Sequence, residues 1–86
     1  MANEIDKVLA SRSDYGSFSA KAAWLQGLKA SMRHTDSWDK LAPAEQEALD
    51  AIAVKMARVL YGKPVRDNWV DIAGYATLAL ETYRDE

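Results

Sequence analysis

The chain of 86 residues carries 11 basic and 13 acidic side chains, a formal net charge of −2, and no cysteine. That excludes a disulfide framework and thiolate metal sites, and it leaves no overall positive field to draw in a nucleic-acid duplex. The opening MANEIDKVLA sets Glu4, Asp6 and Lys7 among its few apolar residues, and no stretch approaches the roughly twenty apolar residues of a membrane span, so one cytoplasmic domain over residues 1–86 is expected.

Helical spacing predicts four helices. The first, about Ala2 to Ser13, places Ile5, Val8, Leu9 and Arg12 at helical intervals, and Asp14-Tyr15-Gly16-Ser17 follows as a turn. The second, about Phe18 to Arg33, starts behind Ser17 as N-cap and carries the stripe Phe18, Ala22, Leu25, Leu28 and Met32, with Lys21, Lys29 and Arg33 on the other side. Its Gly27 suggests close approach of a neighbouring helix. His34, the single histidine, is expected to cap the end of this helix.

A polar connection from His34 to Leu41 leads to Pro43, which suits a first helical turn because its missing N–H is not needed there. The third helix, about Pro43 to Tyr61, puts Leu49, Ile52, Ala53, Met56, Val59 and Leu60 on a core arc and ends at Gly62 and Pro64. The fourth spans about Arg66 to Asp85, with Asn68 and Asp71 at the spacing of an N-cap and its N3 partner, and Gly74 again suggesting a tight crossing. This last helix is apolar on two sides: Trp69, Ile72, Ala73, Ala76, Leu80 and Tyr83 share one, and Asp71, Tyr75, Leu78 and Thr82 the other. Such a helix is central to its domain or shared with a second subunit. The expected fold is an all-α bundle of about four helices, assembled as a homo-oligomer; a domain this small buries only about 60–65% of its unfolded surface, and self-association would add to that.

Three constellations carry chemistry. Glu47, Asp50, Lys55 and Arg58 share the outer arc of the third helix, where mixed charge is commonly just solvated surface; alternatively Lys55 and Arg58, with Arg66, form an anion site. Glu47, Asp50, Asp67 and Asp71 are the candidate ligands of a Mg²⁺ ion, although Asp67 and Asp71 are equally explained by the favourable field at a helix start. Among the aromatics, Phe18 and Trp69 are expected in the core, while Tyr15, Trp38 and Tyr75 are candidates to stack a nucleotide base. Nucleophilic triads, Gly-rich phosphate loops and zinc signatures do not occur.

The run from Glu47 to Glu81, with Lys55, Arg58, Gly62, Pro64, Asp67, Trp69 and the Asp71-Ile72-Ala73-Gly74-Tyr75 segment, resembles a small domain of phage and prophage proteins. Arg12, Tyr15-Gly16 and Phe18 resemble that family's start, so the likeness covers most of the chain. The family is similar to nucleotide-modification-associated domains and, more remotely, to MazG-like all-α nucleoside triphosphate pyrophosphatases. Those enzymes hold Mg²⁺ on E-E-x-x-E and E-x-x-D motifs; here Glu47-x-x-Asp50 and Asp67-x-x-x-Asp71 supply fewer carboxylates at a different spacing.

The resemblance implies a nucleotide-binding protein, acting in a host cytoplasm if phage-encoded. It would sequester a phosphorylated, cyclic nucleotide signal of host defence in pockets at subunit interfaces. The ligand-binding residues would be Lys55, Arg58, Arg66, Tyr15, Trp38 and Tyr75, with no metal or other cofactor, no duplex and no membrane. The alternatives are a Mg²⁺-dependent pyrophosphohydrolase built on Glu47, Asp50, Asp67 and Asp71, and a protein-interaction module with no small ligand.

Overall fold

A computed structural model of the chain describes residues 4–7 and 17–83. Every regular element among them is helical: residues 4–7 (α1), Phe18–Arg33 (α2), Pro43–Tyr61 (α3) and Arg66–Leu80 (α4), with 3-10 turns at Trp38–Lys40 and Glu81–Tyr83. The all-α expectation therefore holds. Most of the first expected helix and its turn, including Val8, Leu9, Arg12 and Tyr15, lies outside the described residues.

Local chemistry sets the ends of these helices. Ser17 caps α2 by accepting from the Ala20 amide at 3.3 Å. At the other end the His34 amide donates to Ala30, and the His34 Nδ1 stands 2.6 Å from the same carbonyl. Pro43 opens α3, and the Ala42 amide donates to the Glu45 carboxylate at 3.0 Å. The fourth helix begins three residues earlier than the Asn68 cap predicts. Val65 holds an extended backbone as its cap, so Asn68 falls in the first turn and is buried, and Asp71 lies a full turn further in. Asp67, exposed in the first turn, does sit where the helix dipole favours negative charge.

α3 is the middle of the molecule, packed most extensively against α4 and also against α2. Its position explains the main departure from the expected core. A helix with neighbours on two sides buries two flanking stripes, and here those are small: Ala48, Ala53 and Ala57 are enclosed, while Leu49, Met56 and Leu60 of the expected core arc lie exposed between the stripes. Alanine at the contact lets helix axes approach closely, at a cost in buried apolar area. Among the described residues no large side chain is fully enclosed.

The same reversal occurs on α4. Its packed stripe is Asn68, Asp71, Ile72, Tyr75 and Ala79, spaced i, i+3, i+4, i+7 and i+11, whereas Trp69, Ala73, Ala76 and Leu80 are exposed. The packed stripe thus takes Asp71 and Tyr75 from one expected face and Ile72 from the other, and leaves Leu78 and Thr82 exposed. Phe18, expected in the core, is also exposed. Neither Gly27 nor Gly74 marks a tight crossing, since a Cβ built at either meets nothing within 4 Å.

Side-chain contacts tie the elements together. Arg33 donates to Asp50 at 2.7 Å across α2 and α3, and its guanidinium lies 4.8 Å from the centroid of the Trp38 ring. Trp24 and Tyr61 form a tilted ring pair 6.3 Å apart. Tyr83 donates to Glu45 at 2.6 Å, closing the open end of the α3–α4 hairpin. That hydrogen bond, with the one from the Ala42 amide, holds the Glu45 carboxyl below its ordinary pKa.

Candidate ligand-binding site

On α3 at about 100° per residue, Glu47, Ala51 and Val54 fall roughly half a turn from Leu49, Met56 and Leu60. These outward positions floor a cleft of about 320 Å³, completed by Lys29 of α2, Asp50 and Lys55 of α3, and Tyr75 of α4. Three helices thus contribute two cations, two carboxylates and a phenol to one recess.

The charges are arranged in pairs. Lys55 Nζ stands 2.8 Å from Asp71 Oδ2, and with three donors on its ammonium it keeps capacity for a further acceptor. Asp50 gives Oδ2 to Arg33, while its Oδ1 is enclosed with no hydrogen-bond partner. An acceptor of that kind is costly when left unmet.

The sequence-predicted ligand residues are not all brought together. Lys55 and Tyr75 line the cleft as expected. Arg66 belongs to a different recess, formed with Val59, Pro64, Val65 and Trp69 at the start of α4, and Arg58 lines neither. Lys55 and Arg66 of the expected anion site thus line separate recesses. Trp38 is a structural residue instead of a stacking platform: it is buried, covered by Arg33, and its carbonyl accepts from the Gln46 side-chain Nε2 at 2.9 Å. Lys29 is the residue the sequence did not single out. No spacing rule marks it, because only the packing of α2 against α3 sets it beside Lys55.

The four-carboxylate set is corrected as well. Among the described residues no three His, Asp or Glu side chains form a group that could hold a metal ion. Glu47 and Asp50 share the cleft, but Asp71 is engaged by Lys55, and Asp67 is exposed in the first turn of α4 and lines none of these recesses. No described helix is long and apolar enough to cross a membrane.

Fold and cleft together define, over the described residues, a small all-α protein with a polar recess lined by three helices. The chain belongs to the domain of unknown function family DUF6378, whose family model matches residues 11–83. No curated protein and no solved structure matches it significantly.

Proposed function

We propose that the chain binds a phosphorylated nucleotide in the cleft between α2, α3 and α4. The observation that carries this reading is the convergence of Lys29, Lys55 and Tyr75 from three helices on a recess that Asp50 also lines. Lys29 and the remaining donors of Lys55 take phosphate oxygens, and Asp50 accepts from a sugar hydroxyl or a base amine. Tyr75 supplies a ring or a hydroxyl to the base. At about 320 Å³ the cleft is at the small end of ligand pockets, which favours a single linear or cyclic mononucleotide. One protomer supplies the lining residues.

Titration calorimetry with a panel of linear and cyclic mononucleotides, with and without EDTA, tests this. Binding that persists in EDTA supports it, and absence of heat from the whole panel removes it. The Mg²⁺-dependent pyrophosphohydrolase reading keeps Glu47 and Asp50 in the same cleft, and it requires pyrophosphate to appear with turnover when Mg²⁺ is added.

A further inference from the structure

The pairings that join the helices also fix which residues of the cleft stand level with one another. Arg33 meets Asp50 and Trp24 meets Tyr61, so α2 runs antiparallel to α3, and Lys29, one turn before Arg33, is level with Val54 and Lys55. On the other side Lys55 meets Asp71 and Glu45 meets Tyr83, so α4 is antiparallel to α3 as well, and Tyr75 is level with Ala51. Glu47 lies beyond them all, about 12 Å along the α3 axis from Lys55.

The cleft is therefore bipolar. Its ammonium groups, Lys29 and Lys55, stand at one end, Ala51, Val54 and the Tyr75 ring span the middle, and the Glu47 carboxylate closes the other end. Internal pairing sharpens this polarity. Asp50 is turned to Arg33 and Lys55 to Asp71, whereas neither the Lys29 ammonium nor the Glu47 carboxylate has an ion-pair or hydrogen-bond partner among the described residues. Arg33 also donates to the Lys29 carbonyl at 3.1 Å, so one guanidinium holds the cationic turn of α2 in place against Asp50.

We propose that the cleft selects a guanine nucleotide, with its phosphate at the end of Lys29 and Lys55 and its base-pairing edge on the Glu47 carboxylate. This rests on the nucleotide reading above and adds to it an orientation and a choice of base. An ionised carboxylate can only accept, and it does so through two oxygens side by side. Guanine presents two neighbouring donors, the N1–H and the N2 amine, which meet those oxygens as a fork. Adenine and cytosine set a ring-nitrogen acceptor beside their single amine, and uracil sets its N–H between two carbonyls, so each turns a lone pair toward the carboxylate. That repulsion selects as effectively as the fork attracts. Between the ends, Ala51, Val54 and Tyr75 offer the base plane an apolar stretch to cover, and Asp50, nearer the middle, is left to the sugar.

Titration calorimetry of the full chain with 5′-GMP, 5′-IMP, 5′-AMP and 5′-UMP tests this. Inosine monophosphate is the informative comparison, because it lacks only the N2 amine. GMP should bind tightest and IMP about 10-fold more weakly, the low end for a hydrogen bond to a charged group because Glu47 is exposed. Glu47→Gln, near-isosteric and shown to be folded by circular dichroism, should narrow the ratio of GMP to IMP affinity to about threefold or less. The comparison of GMP with IMP on the parent chain holds whether or not that variant folds. Equal affinity for the four nucleotides, tighter binding of another base, or a guanine preference that Glu47→Gln leaves intact overturns the assignment while the nucleotide cleft stands. Absence of heat from all four removes both.

Discussion

Glu45 illustrates how much a single side chain decides in a chain with so thin a core. Its carboxylate accepts from the Ala42 amide at the start of α3 and from Tyr83 beyond the end of α4, and both bonds favour the ionised form, the Tyr83 bond more strongly. A carboxyl whose folded pKa lies below its unfolded value near 4.5 contributes stability above that value and loses it as the pH falls through the lowered pKa. Urea denaturation at fixed protein concentration should therefore show Tyr83→Phe less stable than the parent at neutral pH, with the gap closing on acidification. Lys29 is the complementary test of the cleft. It makes no ion pair with Asp50 or Asp71, so Lys29→Ala should leave folding intact while weakening nucleotide affinity about 10- to 100-fold by calorimetry, the value of a charge-assisted hydrogen bond or two. Neither residue was legible as functional in the sequence: Glu45 reads as an ordinary first-turn acid, and Lys29 as one cation on a solvated face.

At the scale of the helices, caps and boundaries were readable because the interactions that set them are a few residues apart. Ser17, His34 and Pro43 act where the sequence places them, through bonds to amides and carbonyls within one turn. The Asn68 cap failed because Val65, held extended just after Pro64, already provides the turn into α4. The glycines failed for a tertiary reason. With open space beside both, Gly27→Ala and Gly74→Ala should each raise stability by about 0.5–1 kcal/mol, the helix-propensity gain with no steric penalty, measured as a higher denaturation midpoint. The opposite holds at the packed alanines. Ala57 is fully enclosed, so Ala57→Leu should force α3 away from its neighbours and cost about 1–3 kcal/mol, with a visible loss of cooperativity in thermal unfolding.

For the whole molecule, the placement of α2 and α4 on two sides of α3 is the feature that separates what residue order determines from what packing determines. Three things followed from the order of residues alone: an all-α fold, the spans of α2 and α3 with the start of α4, and a final helix with apolar residues on two sides, although that helix ends at Leu80 and not near Asp85. Helical periodicity is a property of each segment by itself, so it survives without knowledge of what lies nearby. The structure decided which side of α4 turns inward, why Leu49, Met56 and Leu60 stay exposed while three alanines are enclosed, and that Lys29 joins Lys55 while Arg66 does not. Those outcomes depend on where α2 and α4 sit around α3, and that placement is a balance of contacts between distant segments that no local spacing encodes.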